Sequence, residues 1–231
     1  MSSALPWSCI DTVLLDMDGT LLDLRFDNHF WLEHLPDHYA RQQGLSPAAA
    51  RQQLHERFER KKGQLDWYCL DYWSRELGLP IQALKREIAH LIAPRPGALD
   101  FLASLRRCGK RVILITNAHP DSLALKLERI ELAPWFEQLI SAHSYGYPKE
   151  HPAFWQCLQQ TLQFIPGNSL FIDDSPGILR SARQAGIGWL RAVARPDSGQ
   201  PPVNTAEFTA IDDYHRLSKE LAQGVRPAPE L

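Results

Sequence analysis

IDTVLLDMDGTLLD, residues 10–23, decides the reading of this chain. Residues 10–17 form a short apolar run closed by Asp18-Gly19-Thr20, the pattern of a buried strand stopped at a glycine. Asp16 stands where the run would otherwise be core, and a carboxylate there is costly unless it is paired or bound to metal. Residues two apart along a strand point to the same side, so Asp16 and Asp18 are expected to face one crevice, with Met17 directed away. The plain alternative is a pair of turn aspartates capping the loop.

Downstream, strand and helix alternate. From Pro94, PRPGALDFLASLRRCG reads as an amphipathic helix with Pro96 near its start and Gly109 past its end. Strands follow at 111–116 (RVILIT), 139–142 (LISA), 169–174 (SLFIDD) and 188–194 (GWLRAVA), with helices at 120–131, 152–163 and 176–186. That order predicts an α/β fold with a Rossmann-like parallel sheet and helices on both faces. Residues 23–93 interrupt it. They are polar, aromatic-rich and poor in strand formers, and Pro36, Gly44, Pro47, Gly63, Gly78 and Pro80 divide them into roughly four helices. Ser46-Pro47 is a good cap and first-turn pair. The expected organisation is a core of 1–22 and 94–231 with an all-helical insertion at 23–93. Residues 195–207 read as loop, 213–223 as a last helix and RPAPEL as a frayed tail.

Each later strand also ends in polar chemistry. Thr116-Asn117 follows VILI, Lys149 lies in SYGYPKE, and Asp173-Asp174 closes LFIDD. Singly these residues have ordinary explanations: hydroxyls and amides cap turns, a loop lysine is a surface charge, and one aspartate caps a helix. Two adjacent carboxylates repel, however, and both are easier to explain beside a cation. Mg2+ takes hard oxygen ligands, typically one or two carboxylates with water and phosphate. Four such features in order, each after a strand of one parallel sheet, would converge at the carboxyl ends where open α/β sheets bind ligands.

The chain has 231 residues, with 44% hydrophobic and 23% charged, enough for a real core and against disorder. Twenty-five basic against 27 acidic residues give a net charge of -2, so neither nucleic acid nor an anionic membrane is expected as a bulk partner. No apolar stretch approaches the ~20 residues that span a bilayer, and the opening does not read as a signal peptide. Cys9, Cys69, Cys108 and Cys157 form no CxxC pair. Buried or neutral thiols in a reducing cytoplasm are therefore expected, rather than a metal knuckle or a redox dithiol.

DMDGTLLD, ITN, YPKE and FIDDSPG resemble the four motifs of the haloacid dehalogenase superfamily of phosphohydrolases, and the insertion resembles its helical cap. The likeness runs from about residue 10 to 195. It implies a Mg2+-dependent phosphomonoesterase. Asp16 is the nucleophile that forms an aspartyl-phosphate, and Asp18 is the acid and then the base. Mg2+ is held by Asp16, the Asp18 carbonyl and Asp174, with Asp173 as a ligand or just behind. Thr116, Asn117 and Lys149 hold the phosphoryl oxygens, and Thr20 orients Asp18. FDNHFW, WYCLDYWS, TNAHP and GYPKE resemble the purine 5′-nucleotidases of this superfamily more narrowly, which implies GMP or IMP as substrate.

A sugar-phosphate phosphatase or a β-phosphoglucomutase-like phosphomutase shares the same motifs. A dehalogenase lacks the aspartate found here at 18, and a non-catalytic binding protein would be expected to have lost a carboxylate or the lysine. Oligomeric state stays open. In the cap, Arg25, Asn28, His29, Trp31, Trp67, Tyr68, Tyr72 and Trp73 are candidates for substrate contact, with a cap core as the competing explanation for the rings. Lys61, Lys62, Arg57 and Arg60 read as a solvated helix face, and His119 and Asp121 as helix-capping residues.

Overall fold

The computed structural model describes residues 4–224. Six strands, β1 Thr12–Leu15, β2 Arg111–Thr116, β3 Gln138–Ser141, β4 Ser169–Asp173, β5 Trp189–Val193 and β6 Ala210–Ile211, form one parallel sheet in the order β3-β2-β1-β4-β5-β6. The chain builds outward from β1 on one side, then crosses to build β4 to β6 on the other. The order therefore reverses beside β1, and a crevice opens at the carboxyl ends there. β6, two residues long at the sheet edge, falls between the expected loop and the last helix. Its pairing comes from β5 and not from any run of strand formers of its own.

The central strand is buried on both faces, in keeping with its apolar run Val13-Leu14-Leu15 after Thr12. Val13 and Leu15 pack to one side with α7 (Ala98–Arg107), α8 (Pro120–Arg129) and α11 (Tyr214–Gly224). Leu14 faces the other way, into Phe154, Trp155 and Leu158 of α9 (Pro152–Leu162) and Ile178 and Leu179 of α10 (Pro176–Gln184). The alternation is the period of two expected of a strand.

Between β1 and α7 the chain forms only helices: α1 Arg25–His29, α2 Leu35–Gln43, α3 Pro47–Lys61, α4 Leu65–Tyr68, α5 Leu70–Leu77 and α6 Ile81–Glu87, with a short turn at Ala89–Leu91. It leaves and returns side by side, with Asp23 N–H donating to Ala93 O (2.9 Å) and Arg95 N–H to Leu21 O (2.8 Å). Ser46 caps α3 as expected, its Oγ accepting from Ala49 N–H at 3.3 Å. Pro36 does not break the chain into separate helices. A π-helical stretch, Phe30–His34, joins α1 to α2 and places Pro36 in the first turn of α2, where its missing N–H is tolerated.

Trp31, Phe58 and Trp73 meet edge to face, with centroids 4.9–6.3 Å apart, and Trp73 is fully buried. Most of the cap aromatics are thus its own core. The thiols correct the expectation of burial: Cys9 is exposed, while Cys69, Cys108 and Cys157 are half-buried, and all four are free. Cys69 and Cys108 sit at helix ends, where packing is thinner. The RPAPEL tail lies outside the described residues. Among the described residues no helix is long and apolar enough to cross a membrane.

Leu14 is completely enclosed in the strand on which the sheet is centred. Leu14→Ala is expected to destabilise the protein by ~2–5 kcal/mol in a urea melt, since the site cannot collapse around the lost methyls.

Candidate active site

Sheet register sets the site. Leu15 pairs with Leu114 on one side and Ile172 on the other, so Asp16 leaves β1 level with the ends of both neighbouring strands. Its N–H still donates to Ile172 O at 3.0 Å, which fixes the backbone as the carboxylate turns into the crevice. Lys149 reaches this point from the loop after β3. Its Nζ donates to Asp16 Oδ1 at 2.6 Å, Asp173 Oδ2 at 2.7 Å and Ile115 O at 3.3 Å, so all three ammonium protons are engaged. Asn117 Oδ1 accepts from Lys149 N–H at 2.8 Å and Trp155 Nε1 donates to Lys149 O at 2.8 Å, so both backbone groups of the lysine are pinned. Lys149 is therefore a buried charge and not a surface one.

Burial pushes Asp16 up to about 6, against the pull of Lys149 and with a further push from Asp173. Burial also raises Asp173, and raises Asp174 well above the carboxylate range with Asp173 and Asp16 adding to it. Burial acts downward on the Lys149 ammonium, but Asp16 and Asp173 outweigh it and hold the lysine above its ordinary value. Three carboxylates thus share one ammonium. Asp16 Oδ2 is buried and has no hydrogen-bond partner. Asp173 has both oxygens in use, with Oδ1 accepting from Ser175 N–H at 2.8 Å. Asp174 faces the loop after β1: a Cβ on Gly19, whose φ is +77°, would lie 2.5 Å from Asp174 Oδ2. Only glycine leaves that space and adopts that backbone without strain.

Asp18 is not on the strand. It lies in a tight loop in which Leu21 and Leu22 N–H both donate to Met17 O, while Met17 itself is buried in the core. Thr20, expected to orient Asp18, does not bond to it. Thr20 Oγ1 is buried without a partner, and its carbonyl accepts from Tyr214 Oη at 2.9 Å. Lys126 of α8 holds Asp18 instead, with Nζ 2.6 Å from Asp18 Oδ1. Burial raises Asp18 to about 6 against the pull of Lys126. Lys126 also donates to Asp27 Oδ2 in the cap at 2.7 Å, and Lys85 of α6 donates to Asp27 Oδ1 at 2.7 Å.

This chain of charges, Asp18–Lys126–Asp27–Lys85, was not expected from sequence, although a signal exists. Ser122, Leu125 and Lys126, like Ile81, Leu84 and Lys85, fall on the buried face of their helices at i, i+3 and i+4.

Thr116 Oγ1 accepts from Ala118 N–H at 3.0 Å, closing the turn after β2 and leaving its own proton for another acceptor. His119 caps α8, its Nδ1 accepting from Asp121 N–H at 3.3 Å. Of the cap candidates, Tyr68 crosses to the core. Its hydroxyl donates to Glu150 Oε1 at 2.6 Å, and Glu150 Oε2 accepts from Asn117 Nδ2 at 3.0 Å. Asn28 donates to Asp197 Oδ2 at 2.7 Å and ties the cap to the loop after β5. Trp31 and Tyr72 pack on Trp73, Trp67 meets the Tyr68 ring and accepts at its carbonyl from Trp73 Nε1 at 2.9 Å, and His29 pairs with Glu33. Arg25 is exposed.

Removing one member of a buried charge network leaves the others uncompensated. Lys126→Met is expected to destabilise the protein by ~3 kcal/mol at neutral pH in a denaturant melt. Burial acts to raise Asp27, but the two lysines outweigh it and hold the carboxyl well below its ordinary value. Its contribution is therefore complete above about pH 4, the unfolded value, and fades as pH falls further. The gap between wild type and Lys126→Met should narrow in acid.

This arrangement fits what the chain is similar to. Residues 10–186 match the haloacid dehalogenase-like hydrolase family. The GMP/IMP nucleotidase YrfG of Escherichia coli is 41% identical over 215 residues, which cover 93% of this chain and 97% of that protein. A phosphoglycolate phosphatase of Pseudomonas putida is 26% identical, over 89% of this chain and 77% of its own length. A solved phosphatase of the same superfamily from Thermococcus onnurineus superposes with a TM-score of 0.76 at 21% identity, covering 95% of this chain and all of that one, which speaks for the fold alone. The chain belongs to the haloacid dehalogenase-like hydrolase family.

Proposed function

We propose that this chain is a Mg2+-dependent phosphomonoesterase that works through a phosphoryl group on Asp16 and hydrolyses purine nucleoside 5′-monophosphates, GMP and IMP. The observation that carries the chemistry is the Lys149 ammonium held between Asp16 and Asp173, with the second Asp16 oxygen buried and unpartnered. A nucleophile must be ionised, and Lys149 supplies part of the charge that keeps Asp16 so against its burial. The nucleotide half of the reading comes from the likeness to the E. coli enzyme.

The donor set fits a hard divalent cation. Asp16 Oδ2 lacks a partner, burial and the neighbouring carboxylates raise Asp174 well above its ordinary value, and the carboxylate and carbonyl ligand atoms are all oxygen. Asp16, Asp174 and the Asp18 backbone carbonyl are the residues we assign to it. Asp173, with both oxygens engaged, acts on Lys149 from behind. Mg2+ bound there supplies positive charge to the nucleophile and the phosphoryl oxygens.

In the first step an Asp16 oxygen attacks phosphorus and the bond from phosphorus to the ester oxygen breaks. The leaving alkoxide takes the Asp18 proton. In the second step Asp18, now a carboxylate, takes a proton from water. The water oxygen attacks the same phosphorus, and the bond to Asp16 breaks to release phosphate. A group that titrates near neutrality suits both halves, and burial places Asp18 at about 6. Lys126 orients that carboxylate; the Asn117 N–H and the Thr116 hydroxyl are assigned to the transferred group, and Lys149, its three protons already engaged, acts there by its charge.

Phosphate release from GMP, IMP, phosphoglycolate and glucose phosphates should be measured with Mg2+ and with chelator. GMP and IMP are expected to have the highest kcat/KM, and chelation to remove turnover. A sugar phosphate that outranks both nucleotides would remove the nucleotidase half. Phosphate passed to a second sugar, and not to water, would indicate a phosphomutase. Asp16→Asn should abolish turnover in a protein that still folds, and Asp18→Ala should lower kcat by ~10²–10⁴.

A further inference from the structure

Beside the crevice, three side chains from three separate elements converge. Cys69 stands in the cap between α4 and α5, His119 in the turn after β2, and His143 in the short turn after β3. The Cys69 sulfur and one ring nitrogen of each histidine all lie within 4.8 Å of one another. We propose that Cys69, His119 and His143 form a binding site for a soft transition-metal ion, with Zn2+ the best fit, that clamps the cap onto the core.

The donor chemistry selects the ion. Thiolate and imidazole suit Zn2+ and its neighbours, whereas the aspartate crevice offers only oxygen and suits Mg2+, so the two sites differ in kind. His143 Nε2 is buried and has no hydrogen-bond partner, so one ring nitrogen of a residue in the cluster is free to take a ligand. The two imidazoles are in direct contact, edge to face with centroids 5.0 Å apart, so the two rings stand side by side at the cluster. Zn–S and Zn–N distances of ~2.3 and ~2.0 Å place tetrahedral ligands about 3.5 Å apart. The three donor atoms, all within 4.8 Å of one another, would draw together by at most about an ångström on binding an ion. Asp71 Oδ2 lies 3.7 Å from His119 Nε2 on an exposed side chain but is not part of the mutually close trio, so the fourth position is left to water.

Protons balance simply. The Cys69 thiol gives its proton to solvent when the ion binds. Coordination through His119 Nε2 moves that ring's proton to Nδ1. Nδ1 then gives up its 3.3 Å acceptance from Asp121 N–H and can donate toward the Asp121 carboxylate, now 3.7 Å away. Cys69 follows Tyr68, whose hydroxyl already reaches Glu150 across the same gap, so an ion there would tighten an existing contact between cap and core.

A second group, His34, His38 and Glu87, lies wholly in the cap. His34 Nε2 is 3.0 Å and His38 Nε2 3.5 Å from Glu87 Oε2, so these residues already satisfy one another. That group supplies the control.

Purified full-length protein, reduced and in excess Mg2+, should be titrated with Co2+ and followed by absorption, then back-titrated with Zn2+. One equivalent is expected to bind with a near-ultraviolet thiolate-to-cobalt charge-transfer band and tetrahedral visible bands, both bleached by Zn2+. Cys69→Ser should lose the charge-transfer band and His143→Gln should bind at least ten-fold more weakly, with circular dichroism and Tm in metal-free buffer reporting that each variant folds. His34→Gln should bind as wild type does. If either of the first two variants fails to fold, the other still decides. A charge-transfer band absent from wild type, retained in Cys69→Ser, or lost in His34→Gln overturns the proposal. None of these readouts depends on phosphatase activity, so the site and the proposed reaction can fail separately.

Discussion

The Lys149 ammonium, sealed between Asp16 and Asp173, is the contact on which the rest of the site depends. A lysine out of water is tolerated only if its charge is met and its protons are used. Here both conditions hold because three parallel strands end at one level and a fourth segment returns beneath them. Asp16 comes from β1, the Ile115 carbonyl from β2 and Asp173 from β4. Asn117 and Trp155 then fix the lysine backbone. The arrangement is still short of positive charge. One ammonium faces three carboxylates, and one Asp16 oxygen has no partner. Such a shortfall of positive charge is one that a cation in the crevice would relieve.

A second charge network runs away from the first. Asp18 pairs with Lys126, Lys126 with Asp27 and Asp27 with Lys85, so the residue assigned as acid and base is linked to the helical cap through two ion pairs. The position of the cap and the setting of Asp18 share these contacts. Tyr68 to Glu150 and Asn28 to Asp197 add two further ties between the same bodies of structure. Lids over such chemistry commonly exclude water and complete the site on closing. Here the closing contacts are charged and directional, so they report alignment as well as proximity.

Much of this was legible in the sequence for physical reasons. RVILIT and SLFID are short apolar runs ended by polar chemistry, and they form β2 and β4 with almost the bounds their pattern gives. The polar residues at those ends lie together because parallel strands align their carboxyl ends. Other features carry no such local signature. Pro36 reads as a helix break, yet the π-helical stretch before it absorbs the missing N–H. β6 exists because β5 leaves an edge to pair with. Lys126 and Asp27 are far apart in the chain, and only the position of Lys126 on the buried face of α8 hints at a buried partner. Cysteine spacing argues against a metal knuckle, and spacing cannot register a thiol in the cap meeting two histidines from the core.

The central claim is that Asp16 carries the phosphoryl group between two displacements at phosphorus. Its most direct test is the stereochemical outcome with a phosphate ester made chiral by oxygen isotopes. Two in-line displacements, the first by Asp16 and the second by water, return phosphorus to its starting configuration, and the account predicts retention. Inversion would mean that water attacks the ester in a single step, leaving Asp16 as no more than a ligand or a charge beside Lys149.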